Sequence, residues 1–386
     1  MLALACGSMA FASQFEPVTP ADSAAKAAAE AAAQGAPVVE ASVKQTITFR
    51  SGSTWDLTVN AVDKFGLIIT GASFQKSPTS PFIYVLYDGR LGEIFVPYHS
   101  GRPRFGDISE FNFSPLTLTS ANFPPPRQII GGGKICKEVR DYLAWMIAPP
   151  SVPTTLARYG QEVVYFSVLA AGNYDYIMEW TFRDDGAIVV RAGSTGPKFP
   201  GAPTEGHMHN FTWRLDIDLN GTSNSAYLTS HLEDPTAPLP PGCSPPGCGS
   251  SATDRMDLIS VEGSRVWNPQ HFNTLQIFSN LRNGNGRLTS YELQPLRTGT
   301  ARHTESFTRE DFWVTRYNPN EILAPNLPTY VHDGQPTVNK DLVIWYTGSE
   351  HHENNSRDED RNTVPVLWTG FELIPNNLFD GTPFYP

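Results

Sequence analysis

Two histidines two residues apart, His207 and His209 in "GHMHNFTWRLDIDLNG", have the residue type and spacing to do chemistry. On an extended strand residues i and i+2 point to one face, so the two imidazoles would stand side by side as half of a metal site. A third imidazole is needed. The segment "WYTGSEHHENN" offers His351 and His352 at the end of another apolar run. Three neutral nitrogens with no Cys or Met suit Cu(II) or Zn(II) better than Cu(I), and do not choose between the two. Asp216 and Asp218 repeat the i, i+2 spacing in "RLDIDLNG", and Asp341 in "NKDLVIWY" could join them to hold a hard cation such as Ca²⁺ through oxygen. Ile217 and Leu342 fall in the same candidate calcium-type site. Plainer readings stand beside both: a histidine pair in packing, and solvated aspartates leading into the Asn220-Gly221 turn.

The stretch "AGNYDYIMEWTF", residues 171–182, alternates like a half-buried strand yet sets Tyr174 between Asn173 and Asp175. Taken alone, Tyr174 is a core tyrosine with a hydrogen-bonded hydroxyl.

The elements that would position these residues are strands. The chain has 386 residues, 40% of them hydrophobic, enough for a full core in one large all-β domain or two smaller ones. Its 33 Pro and 31 Gly, with β-branched and aromatic residues throughout, favour many short strands joined by turns. Runs such as "TWDLTVNAV", "GLIITGASF", "FIYVLYDG", "EVVYFSVLA", "AIVVRAG", "NTLQIFSN", "DLVIWYTG" and "WTGFELIP" end near Gly, Asn, Asp or Pro, the rhythm of a sandwich or barrel. After the amino-terminal region, "GGGKICKEVRDYLAW" is the stretch with possible helical character. The Pro-rich Asp234–Asp254 segment is too long for a plain hairpin loop and is expected to project as an arm.

A net charge of −11 with no basic stripe argues against nucleic acid as a partner. Residues 1–13, apolar and ending in Ala10-Phe11-Ala12, predict a signal segment and a secreted or extracellular protein; residues 14–42 read as an Ala-rich linker or pro-segment. Nothing further approaches a membrane span. Cys243 and Cys248 could close a small disulfide ring, Cys6 would leave with the signal, and Cys136 then has no partner. Sequons at Asn112, Asn210, Asn220 and Asn354 are common triplets and carry no weight alone.

The Asn-Tyr-Asp triplet, the His-x-His before Arg-Leu-Asp-x-Asp, and a late His after "WYT" together resemble the copper amine oxidases. The likeness continues in "RVWNPQHFNTLQIFSNLRNGNGRLTSYELQP", in "FTREDFWVTRYNPNEILAP" and in "GFELIPNNLFDGTPF", and in order and rough spacing it covers Val43 to Pro386. The resemblance implies a large antiparallel β-sandwich catalytic domain with few short helices, here residues 43–386, without the smaller domains that usually precede it.

The resemblance also implies roles. Tyr174 would be the precursor of topaquinone, formed by bound Cu(II) and O₂, because no standard side chain offers an electrophilic carbonyl to an amine. His207, His209 and one late histidine would bind copper; counting from Trp345 against Trp-x-Thr-x-Gly-x-x-His favours His352, and counting from Gly348 gives His351 as the alternative. In "FVPYHSGRPRFGDISEFNFSP", Asp107 matches the catalytic base, Tyr98 the residue that hydrogen-bonds the cofactor oxygen and Phe105 the gating aromatic, while Glu110 and Phe111 also fall in place. Asn173 adjoins the cofactor. Ser109, Asn112 and Ser114 replace glycines of the family's base segment, which puts the local backbone path in question. The implied reaction turns a primary amine and O₂ into an aldehyde, ammonia and hydrogen peroxide, in a homodimer with exchanged hairpin arms. Two rivals remain: a catalytically inactive sandwich that keeps the metal as a binding or structural module, and a plain three-histidine Zn or Fe enzyme.

Overall fold

A computed structural model of the chain describes residues 38–99, 101–147, 156–199, 201–202, 205–234, 241–242, 251–297, 300–353 and 364–381. Two antiparallel sheets dominate it. The first has nine strands, and its path runs β1 (Val39–Thr48), β2 (Thr54–Val62), β3 (Gly66–Gln75), β4 (Phe82–Pro97), β11 (His207–Asp216), β18 (Leu342–His352), β17 (Phe312–Arg316) and β14 (Gly263–Arg265). Short β5 (Arg104–Gly106) pairs with the end of β4. The second has ten strands in the order β13 (Ser251–Ile259), β12 (Asn224–Asp234), β15 (Thr274–Arg282), β16 (Leu288–Pro295), β19 (Leu367–Asn376), β10 (Ile188–Thr195), β9 (Tyr174–Arg183), β8 (Leu156–Ala171), β7 (Ile135–Ile147) and β6 (Gln128–Ile130). The fold class is therefore all-β, a large antiparallel sandwich with a few short helices.

The core lies between the sheets. In β2 the alternation of "TWDLTVNAV" sends Trp55, Leu57, Val59 and Ala61 into it, each fully buried. On the facing sheet, Trp180 and Phe182 of β9 do the same, and Trp55 meets Phe182 edge to face at 5.1 Å. Aromatic burial of this kind stabilises by about 1.5–3 kcal/mol per side chain before entropy is counted.

β11 is different: nine of its ten residues are buried, because both of its faces are covered. One face meets the second sheet. The other side of this sheet is capped by a smaller cluster in which Phe95, Trp313, Val343 and Trp345 pack with Phe307 and with Leu327 of the one-turn helix α1 (Leu327–Tyr330). After its histidines the strand alternates Phe211, Trp213 and Leu215 with Asn210, Thr212 and Arg214, and these buried polar side chains are hydrogen-bonded to the Phe95 carbonyl, the Thr347 hydroxyl and the Glu321 carbonyl.

Three expectations need correction. Residues 131–145 are not helical: beyond a short 3-10 turn at Gly131–Gly133, they form β7, paired with β8 from Cys136↔Phe166 to Ile147↔Leu156. Ile135, Val139, Tyr142 and Trp145 suit a strand, and a long ladder with β8 outweighs weak helix propensity. β1 begins at Val39, inside the stretch assigned to the linker. β13 begins at Ser251, so the carboxy-terminal end of the Pro-rich excursion is a ribbon strand, paired with β12 out to Asp234↔Ser251.

The signal segment, the linker as far as residue 37, Cys6, Cys243, Cys248, the tip of the excursion and Asn354 lie outside the described residues. Among the described residues Cys136 is a free, buried thiol packed with Leu118 and Val168, and no helix is long and apolar enough to cross a membrane.

Candidate active site

The site forms where the two sheets face each other. His207 and His209 sit on the inward face of β11, and antiparallel pairing sets His207 directly opposite His352 on β18. The alternation that turns His352 inward turns its neighbour outward, so His351 is exposed and pairs with Met208. Of the two late histidines, His352 is the one that joins the buried group.

From the second sheet comes Tyr174, the first residue of β9. Gly172, with φ 67°, allows the tight β8–β9 turn that pairs Ala171 with Tyr174. Asn173 anchors the turn by donating to the Pro197 carbonyl at 2.7 Å. Gly196 has no room for a Cβ against the Asn173 carbonyl. The turn therefore holds Tyr174 in a fixed place.

The Tyr174 hydroxyl lies 2.7 Å from His352 Nδ1 and 3.0 Å from His207 Nε2. His207 Nε2 is 3.1 Å from His209 Nε2, and one nitrogen of each of the three imidazoles lies within 4.8 Å of the others. The Tyr174 ring stands edge-on to His209 at 4.5 Å. Burial, reinforced by the neighbouring His352, lowers the His207 pKa to about 3, and burial with His207 beside it takes His209 well below its ordinary value. His207 and His209 are thus neutral around pH 7, the state in which nitrogen binds a transition metal. Three imidazoles gathered about one phenol, with no thiolate or thioether among them, fit a Cu(II) ion.

Tyr98 stacks on His207 at 4.2 Å between ring centroids and hydrogen-bonds Tyr174. Burial raises its pKa, so it is a neutral phenol. Phe105 packs edge-on to Tyr98 and Phe199 beside this pair.

Asp107 is buried in the turn after β5. Its Oδ2 accepts from the Tyr176 hydroxyl at 2.6 Å, and that hydroxyl is 3.4 Å from His209 Nδ1. Burial first, then the nearby Glu93 and Glu110, raise the Asp107 pKa to about 7 against the hydrogen bond from Tyr176. Tyr176 was not among the sequence candidates. Its signal was present: it stands at i+2 from Tyr174 on one strand, and so on the same face.

At the other end of the same strands, Asp216, Asp218 and Asp341 bring carboxylate oxygens within 4.8 Å of one another. Both Asp216 oxygens lack a hydrogen-bond partner, and Arg214 stands 3.9 Å away. Burial raises Asp216 to about 8 and, with Asp341 adding repulsion, Asp218 to about 6; burial also raises Asp341. Ile217 follows the end of β11 and Leu342 opens β18, which sets both beside this cluster in sequence. Of the sequons, Asn210 is fully buried and donates to the Phe95 carbonyl at 3.0 Å, which leaves no room for a glycan.

Comparison with known proteins agrees with this geometry. The sequence family "copper amine oxidase, enzyme domain" matches residues 199–385, a range that holds all three imidazoles and all three aspartates and begins after Tyr174. The copper-containing amine oxidase alpha 2, peroxisomal, of Arabidopsis thaliana is 26% identical over 401 residues, 86% of this chain and 58% of that protein. The primary amine oxidase of Klebsiella aerogenes is 25% identical over 411 residues, 85% of this chain and 52% of that one. This chain therefore spans little more than half the length of these relatives. Among solved structures, a copper-containing benzylamine oxidase from Hansenula polymorpha superposes with a TM-score of 0.70 at 17% identity, covering 87% of this chain and 62% of its own, a likeness of fold. The family match runs through both strands that carry the imidazoles, and it, the relatives and the shared fold all support a copper amine oxidase catalytic domain, to which this chain is similar.

Proposed function

We propose that this chain is a copper- and topaquinone-dependent primary-amine oxidase, converting a primary amine, O₂ and water to an aldehyde, ammonia and hydrogen peroxide. The observation that carries the reading is the Tyr174 hydroxyl held 2.7 Å and 3.0 Å from imidazole nitrogens of His352 and His207. His207, His209 and His352 would hold Cu(II), which would supply the redox chemistry by which O₂ oxidises the Tyr174 phenol to a carbonyl cofactor.

The remaining work belongs to side chains of this chain. Tyr98 holds the Tyr174 oxygen in place by its hydrogen bond. Asp107 takes the proton from the amine's α-carbon; a carboxyl whose pKa lies about 7 is close to half ionised at neutral pH and can both accept and return a proton. Tyr176 donates to one Asp107 oxygen and so orients the other. Phe105, Phe199 and Tyr98 wall the site with rings, keeping water from the reacting atoms.

The test is to load the protein with Cu(II) in air and react the denatured product with phenylhydrazine. A coloured adduct on the Tyr174 peptide supports the reading, and an unmodified peptide on a copper-loaded chain overturns it. That second outcome would favour an inactive sandwich that keeps its metal.

Three further assignments accompany the proposal. Asp216, Asp218 and Asp341, with carbonyls of Ile217 and Leu342, would hold a hard cation such as Ca²⁺. The β7–β8 ribbon exposes Val139, Leu143, Met146 and Tyr159, apolar area that a homodimer would cover and that a sedimentation measurement would test. The apolar segment at residues 1–13 would direct the protein outside the cell, a destination that fractionation of expressing cells would check.

A further inference from the structure

Glu93, on β4, has no part in the roles above, yet its side chain is fully buried. Its Oε1 accepts from the amides of Ile94 and Ile108 at 2.9 Å and of Ser109 at 3.3 Å; its Oε2 lies 3.3 Å from the Ser109 amide, and the Ser109 side chain adds another bond. Ile108 and Ser109 follow Asp107 directly. The Asp107 amide itself donates to the Ile94 carbonyl at 2.8 Å. Three successive amides, 107 to 109, are therefore tied to two neighbouring residues of β4. The turn closes tightly on the carboxylate: a Cβ at Gly106 would stand 2.5 Å from Ser109 Oγ and 3.1 Å from Glu93 Oε2.

A carboxylate buried this completely is costly unless its lone pairs are used. Here they are used on the backbone that carries the candidate base. We infer that Glu93 is the positioning residue for Asp107, fixing through the Ile108 and Ser109 amides the turn that presents the base carboxyl to Tyr176. Ser109, which stands where the family's base segment has glycine, becomes part of this clasp. The inference rests on the reading of Asp107 as the base.

Glu93 also supplies charge. Asp107 is faced by Glu93 from β4, by Glu110 from its own turn, and by Tyr98 and Tyr176; Glu93 in turn interacts with Lys64 from the β2–β3 turn. Burial raises Glu93 to about 7, so it gains its negative charge over the same pH range as Asp107, and each carboxylate opposes ionisation of the other.

The test compares Glu93→Gln, which keeps shape and one acceptor oxygen, with Glu93→Ala, which removes both acceptors. The metal-free protein, labelled with ¹³C-aspartate and assigned through Asp107→Asn, gives the Asp107 titration; hydrogen exchange gives the Ile108 and Ser109 amides. Glu93→Gln should lower the Asp107 midpoint and speed Ser109 exchange about tenfold, the effect of one lost charge-assisted bond. Glu93→Ala should speed exchange at both amides and, in the copper-loaded enzyme, cut kcat up to about a hundredfold with KM nearly unchanged, as for an ångström-scale misplacement. If Glu93→Ala does not fold, Glu93→Gln decides alone. Unchanged exchange and an unchanged Asp107 midpoint overturn the inference, even where Asp107→Asn is inactive. Full turnover by Asp107→Asn overturns the base reading instead, whatever Glu93 does.

Discussion

One pair of strands carries a candidate site at each end, and burial acts on the two sites in opposite ways. β11 and β18 run in register from His207↔His352 to Asp216↔Val343, ten residues whose nine steps of roughly 3.3 Å span about 30 Å. At both ends burial disfavours charge. For His207 and His209 this removes the proton and leaves neutral ligand nitrogens, as the fall of His207 to about 3 records. For the aspartates it keeps the proton on, as the rise of Asp216 to about 8 records. The histidine end is thus ready for a metal without further change, whereas the aspartate end must first release protons, so only there should binding compete with protons near neutral pH.

The largest effect should come from Tyr174→Phe. Without the phenol oxygen no carbonyl cofactor can form, so amine turnover and the phenylhydrazine adduct should both vanish while copper binding by the three imidazoles persists. Copper loss in this variant would break the separation between donors and phenol on which the comparison stands. Next is Asp107→Asn, which should keep the adduct and lose about 10²–10⁴-fold in kcat/KM, the usual range for a general base. His352→Ala should strip copper from the site, and His351→Ala, on the outward face of the same strand, should leave it bound; isothermal titration with Cu(II) would separate them. An equal loss in both would mean that strand alternation at the end of β18 does not govern the site.

The two ends were not equally legible in the sequence. His207 and His209 could be read because a period of two on a strand is a strong local rule, and the late histidine was found but not fixed, because "EHH" offers both phases. Only the register of β18 against β11 decides between them. The strand runs themselves were plain, with "TWDLTVNAV" matching β2 residue for residue. β7 was misread since Lys137, Glu138, Arg140 and Asp141 imitate a solvated helix, and its strand character comes from β8, a partner that sequence does not display locally. Glu93 and Tyr176 passed unnoticed for a related reason. Their partners, the amides after Asp107 and the Asp107 carboxylate, are distant in sequence and are brought near by the sheets.

The smallest effect, and the one that sharpens the comparison most, is the response of stability to a hard cation as pH changes. Asp216 and Asp218 have folded values of about 8 and about 6, above the ordinary carboxylate value of 3.8. A raised carboxyl favours the folded state fully below pH 3.8, and that contribution is lost as pH rises through the folded values. Cation-free protein should therefore lose stability between about pH 4 and pH 8. Ca²⁺ neutralises the same carboxylates, so its stabilisation should be weak at pH 5, where protons occupy the site, and should grow toward pH 8. At a hundredfold excess over its Kd it should reach about 2.7 kcal/mol. Thermal unfolding with and without Ca²⁺ at the two pH values measures this, and Asp216→Asn should flatten the difference. A Ca²⁺ response equal at both pH values, or intact in Asp216→Asn, would place the cation elsewhere and leave the aspartate end a cluster of protonated acids, with the histidine end the only metal site on the strand pair.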